Sequence, residues 1–144
     1  MVGKLVLLKL GDGSLEQGFP VMLQFGEEGQ RPVVEIVGRL PAALELQQAY
    51  RNWVTLYRNL NQQLRLEAET QQLTNVSKRE DCYQAARILT DCLNVWLYAD
   101  SFRPIREKLL EQLMPSEPVR LILQTDNPTL RRLPWHLWDF CDRY

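Results

Sequence analysis

The sequence predicts an α+β fold: an N-terminal antiparallel β-meander, a helical middle, and a closing strand followed by a helix. Three observations predict it. Apolar and polar residues alternate in the stretch before residue 40, an apolar stripe at steps of three and four follows Pro41, and a run of leucine, isoleucine and valine returns at Val119. These divide the 144 residues into 1–40, 41–114 and 115–144, which read as a single domain or as the N-terminal fragment of a larger one.

Lys4–Leu10 is a short apolar run that ends in the turn signal Gly11-Asp12-Gly13. Phe19, Val21, Leu23 and Phe25 alternate with Pro20, Met22 and Gln24, the period of a strand with one buried face. Gly26-Glu27-Glu28-Gly29 turns the chain, and Val33–Val37 supplies a third strand before Gly38. Short connections between three strands predict a meander.

Beyond Pro41, Leu46, Tyr50, Trp53, Tyr57, Leu60 and Leu64 form one apolar helical stripe. Residues 65–76 are polar and predict a frayed end plus a loop. Ser77-Lys78-Arg79-Glu80 has the form of a capping box, in which the hydroxyl accepts from the Glu80 amide and the carboxylate reaches back. The helix it would open carries Cys82, Ala86, Leu89, Leu93, Trp96 and Leu97 on one face. Asp100-Ser101 and Pro104 restart a shorter helix with Ile105, Leu109 and Leu113 inward, ended at Met114-Pro115. Val119–Thr125 returns to strand, Asp126-Asn127-Pro128 breaks it, and Pro134 sits near the first turn of a final helix bearing Trp135, Leu137, Trp138 and Phe140.

Composition narrows the function classes. The chain is 45% hydrophobic and 24% charged, with a net charge of −1, the profile of an ordinary globular protein. Positive and negative side chains also balance locally, four against five in residues 1–44 and six of each in residues 76–114. No basic stripe is legible, which argues against a nucleic-acid partner held through phosphates. No apolar run approaches the roughly 20 residues of a membrane span, and Lys9 interrupts the only apolar run near the N-terminus, so no signal peptide is predicted. Cys82 and Cys92 lie ten residues apart on one expected helix, about 15 Å, too far for a disulfide. With Cys141 left over, the cysteines read as reduced thiols and the expected location is cytoplasmic.

Chemistry-bearing motifs are sparse. Gly11-Asp12-Gly13 follows a strand, but the next segment reads as strand too, so no helix N-terminus awaits a phosphate and the reading is a hairpin turn. His136 is the sole histidine, and Cys141, five residues on, would lie about 140° around a helix, so the two do not form a nucleophile–base pair. No CxxC or HxxxH spacing offers zinc its ligands, and no cofactor is expected. Arg51, Arg58 and Arg65 read as a solvated helix face among Glu45, Glu67 and Glu69. Aromatic residues are concentrated toward Tyr144, and this makes Leu133, Trp135, Trp138, Phe140 and Tyr144 the candidate partner interface. Trp135 fits core packing better, whereas Trp138 fits core and docking edge equally.

The run Val119-Arg120-Leu121-Ile122-Leu123-Gln124-Thr125, then Leu130-Arg131-Arg132-Leu133-Pro134-Trp135-His136-Leu137-Trp138, resembles the opening of the CHAT domain, a caspase-like family of cyanobacterial and other bacterial signalling proteins. Gly18-Phe19-Pro20-Val21, Thr74-Asn75-Val76-Ser77 and the stretch from Ser101 to Leu110 look like the region that precedes it in cyanobacterial members. The resemblance spans essentially the whole chain but only the N-terminal part of a full family protein. It implies that Val119–Thr125 is the first strand of a caspase-like α/β sheet. Active members resemble caspases in using a His–Cys dyad with the histidine before a glycine. Here Leu137 follows His136, and neither His136 nor Cys141 matches a dyad position, so the resemblance implies a chain cut off before the catalytic half. The implied function is a non-catalytic interaction or regulatory module, not an enzyme. The alternative is a piece or subunit of a CHAT-type cysteine peptidase whose dyad lies on another chain or downstream. The implied partner is a caspase-like catalytic chain or a second copy, bound through residues 119–144.

Overall fold

The computed structural model describes residues 3–31, 34–66, 72–114 and 118–139; for residues 61–66 and 72–78 only the backbone is described. Three strands open the fold, β1 (Lys4–Leu10), β2 (Phe19–Glu27) and β3 (Val34–Leu40). Helices α1 (Leu44–Leu66), α2 (Gln72–Leu97) and α3 (Arg103–Gln112) follow, with a 3-10 turn at Asp100–Phe102 leading into α3. Strand β4 (Val119–Gln124) returns to the sheet, and a short helix α4 (Pro128–Arg132) and a 3-10 turn at Trp135–Leu137 close the described chain.

The meander is as the alternation predicts. β2 pairs antiparallel with β1 and with β3, so that Leu8 lies opposite Leu23 and Leu23 opposite Ile36. β4 does not begin a sheet of its own: it lies parallel to β1, with Leu8 opposite Leu123, in the order β3-β2-β1-β4. Parallel neighbours need a long crossover, and the whole helical segment supplies it.

The period of two puts Val6, Leu8, Leu10, Phe19, Val21, Leu23, Phe25 and Leu40 on one face, all buried. Against that face pack Leu89, Leu93, Trp96 and Leu97 of α2 and Ile105 and Leu109 of α3. Gly38 lets α3 come close, because a Cβ there would sit 2.8 Å from Ile105 Cδ1. Gly18 has a stricter role. Its φ is +92°, and a Cβ would meet the Leu40 carbonyl oxygen at 2.5 Å, so glycine is required where Ser14–Gly18 turns the chain into β2. Leu15, buried within that turn, accepts from the Ala43 amide at 2.7 Å and fixes the start of α1.

Two local expectations are corrected. Helix α2 is already under way at Gln72, so Ser77 lies inside it and does not form an N-cap with Glu80. The stretch expected as loop shrinks because no glycine or proline stands between Pro41 and Pro104, and polarity alone does not end a helix. Over Trp135–Leu137 the expected helix from Pro134 is a 3-10 turn, a short helix α4 precedes it, and the part expected from Phe140 onward lies outside the described residues. Asn127 accepts from the Leu130 amide at 3.1 Å and Pro128 takes the first turn, so Asn127-Pro128 starts a helix where the sequence suggested a break. Leu133, preceding Pro134, is then held extended at ψ 147° and stops it.

Candidate interaction surface

The segment expected to dock a partner folds inward. Trp138 is 1% exposed and Leu133 4%, both within the core, and Trp138 lies 6.1 Å from the Phe102 ring. They are therefore corrected from surface to core. Trp135 is half-buried; its indole N–H donates to the Leu130 carbonyl at 2.6 Å and its ring lies 6.3 Å from Trp96. Phe140 and Tyr144 lie outside the described residues. Asn94 of α2 holds the segment in place, donating to the Leu137 carbonyl at 3.2 Å and accepting from the Asp139 amide at 2.8 Å.

Trp96 is the hub that the sequence reading placed in the core without seeing its reach. It contacts Phe19 edge-on at 6.1 Å and Trp135 at 6.3 Å, and its N–H donates to the Pro41 carbonyl at 2.8 Å. One indole thus ties strand, helix, loop and tail together.

The surface that remains open lies on the other side of the sheet and along β4. Leu5, Leu7, Met22 and Ile122 point away from the helices and are half-buried, while Val37 beside them is 67% exposed. Leu7 has Gln24 on one side and Ile122 on the other, and Lys9 lies between Met22 and Gln124. At the end of this face a depression of about 400 Å³ is lined by Lys9, Pro20, Met22 and Val37 together with Gln124 and Thr125. The continuous run Leu5-Val6-Leu7-Leu8 was the signal for a strand apolar on both faces.

β3 and β4 are the two edge strands. β3 interleaves Glu35 and Arg39 with its apolar residues, a natural block to further pairing. β4 carries one charge, Arg120, which pairs with Glu28 at 3.2 Å; Leu121, Ile122 and Leu123 follow, each half-buried.

Among the described residues no hydrogen bond joins a cysteine to His136. Burial, and then Asp81, pushes the Cys82 thiol up. Burial, then Glu45 and Asp91, does the same at Cys92. An activated cysteine requires the opposite shift. His136 is exposed, and Cys141 lies outside the described residues. Among the described residues no three of His, Cys, Asp or Glu cluster as metal ligands do, and no helix is long and apolar enough to cross a membrane. Arg51 and Arg58 are exposed, as a solvated face requires, and the Arg65 side chain is outside the described set.

The chain matches no protein-family model, no curated protein and no solved structure. The fold class that its own geometry defines is mixed α+β, a four-stranded sheet with helices on one face.

Proposed function

We propose that this chain is a non-catalytic protein-interaction or regulatory module, of the kind its resemblance to the N-terminal part of CHAT proteins implies, and that it binds by adding a partner strand to the free edge of β4. The partner is a caspase-like catalytic chain or a second copy. The observation that carries the reading is the asymmetry of the two sheet edges. β3 is guarded by Glu35 and Arg39, whereas β4 offers Leu121-Ile122-Leu123 beside an apolar sheet face. Parallel strand pairs are ordinarily covered on both faces, and among the described residues the helices cover the β1–β4 pair on one.

Deleting the tail would not test this, because Leu130, Leu133 and Trp138 are core residues. Ile122→Lys does, since it places a charge on the open face of the edge strand. The reading expects association with a second copy, followed by sedimentation velocity, or with a CHAT-type catalytic chain, followed by calorimetry. It also expects Ile122→Lys to weaken that association by at least about tenfold, a loss of roughly 1.4 kcal/mol, with the fold retained. Association that is indifferent to Ile122→Lys would overturn it.

A further inference from the structure

We propose that the groove between α2 and the start of α1 is a second docking site, shaped for an amphipathic helix of a partner protein whose apolar knobs are flanked by lysine or arginine. It shares no residue with the β4 surface and does not depend on that reading.

The wall is a second apolar stripe on α2. Leu89, Leu93, Trp96 and Leu97 face the core, yet Ile88, Cys92 and Val95 also recur at steps of four and three, and Ala99 continues the wall just past the end of the helix. That is the spacing with which one helix receives another. Ile88 is 50% and Val95 72% exposed, while Cys92 is half-buried between them. Large and small side chains thus alternate along about 11 Å of helix, two turns, and Ala99 extends the wall beyond them. Leu44, 62% exposed at the first position of α1, forms the opposite wall, and the groove between them measures about 620 Å³. Its base is fixed before any partner arrives, because the Trp96 N–H holds the Pro41 carbonyl at 2.8 Å and the Ala43 amide holds Leu15 at 2.7 Å.

Charge selects the occupant. Glu45 and Asp91 line the groove, and neither has a cation within ion-pair distance among the described residues, although four ion pairs form elsewhere. Burial first, then Glu45 and Asp91, pushes the Cys92 thiol up, in keeping with the placement of both carboxylates beside it in the groove lining. Two carboxylates and one thiol are not grouped as metal ligands here. An apolar helix carrying positive charge on its flanks covers the stripe and supplies the missing counter-charges at once.

The test is a selection from displayed 16-residue helical peptides with leucines fixed at i, i+4, i+7 and i+11 and all other surface positions randomised. Against the full chain, the selected peptides are expected to place Lys or Arg beside the leucine seam. Their affinity, read by fluorescence anisotropy, should fall at least about tenfold on Val95→Lys, the loss typical of a central interface contact. The double variant Glu45→Lys/Asp91→Lys should select Asp- and Glu-flanked peptides instead. All three substituted residues are exposed, and circular dichroism confirms that the variants fold. A selection that yields no helical binder, binders without charge bias, or binders unaffected by Val95→Lys overturns the proposal. Loss of binding on Ile122→Lys also overturns it, since the peptide would then sit on the sheet. If Ile122→Lys instead leaves association through β4 intact, the β4 reading fails and this one stands.

Discussion

Replacing Trp138 with alanine removes the largest fully buried side chain among the described residues. At 1% exposure nearly all of its surface is withdrawn from water, on the order of 200 Å² for a tryptophan. At about 25 cal/mol per Å² that burial contributes roughly 5 kcal/mol, and measured Trp→Ala truncations in cores cost about 3–5 kcal/mol. The Phe102 ring 6.1 Å away would lose its neighbour. For a chain of this size each kcal/mol lowers the melting temperature by about 3–4 °C, so the expected drop is roughly 10–20 °C. Thermal unfolding followed by far-ultraviolet circular dichroism measures it. Trp135→Ala serves as the internal comparison. Trp135 is half-buried and gives up its bond to the Leu130 carbonyl, so its cost is smaller, about 2 kcal/mol. If Trp138→Ala melted within about 3 °C of the parent, the burial reasoning would be wrong, and the tail would again be a docking edge.

Three further outcomes follow from the same geometry. Asn94→Ala removes both bonds that hold the tail, and should cost about 1–2 kcal/mol while speeding hydrogen exchange at the Asp139 amide; unchanged exchange there would show that the clamp is idle. Gly18→Ala forces a side chain into positive φ and against the Leu40 carbonyl, and should lower stability by more than about 2 kcal/mol in urea unfolding. The thiols carry a pH prediction. Cys82 and Cys92 titrate above the ordinary thiol value of about 8.5 because the folded state disfavours their charged forms. Their contribution to stability is therefore fully present below about pH 8.5 and is lost as pH rises through the raised folded values. Cys82→Ala/Cys92→Ala should flatten that alkaline decline, and both thiols should react with iodoacetamide more slowly than a free cysteine at pH 8.

The meander was legible because the period of two, from Phe19 to Phe25, is a local signal that burial then fixes in register. The core stripe of α2 was legible for the same reason at the helical period. What was not legible is non-local. Nothing in Val119–Gln124 says which strand will receive it, because parallel pairing with β1 is decided across the whole helical segment. Trp138 stood evenly between core and docking edge because distance from the end of a sequence is not depth in a fold, and the fold buries it. The tail turns back under α2 through Asn94, a residue with no sequence signature for that task. Two surface features were present in the sequence but masked by stronger patterns. Leu5 and Leu7 stand inside an apolar run that reads as a single buried strand, and Ile88 and Val95 lie beside a core stripe that already accounts for the helix.

The inward tail also changes what the open surfaces mean. Had Trp138 been exposed, the apolar groups on the sheet face could be explained as a core left unfinished. With Trp138, Leu133 and Leu130 buried, the helical side takes part of its core from its own tail. Leu7, Met22 and Ile122 stay half-buried and Val37 exposed on the sheet side, as Val95 and Leu44 stay exposed on the helical side. Scattered apolar residues on a surface need no explanation, but grouped ones on a rigid frame do. Trp96 and the Leu15–Ala43 bond fix the groove, and the β1–β4 ladder fixes the strand edge. Partners meeting either surface would order little of this chain on binding, so more of the apolar contact would survive as affinity.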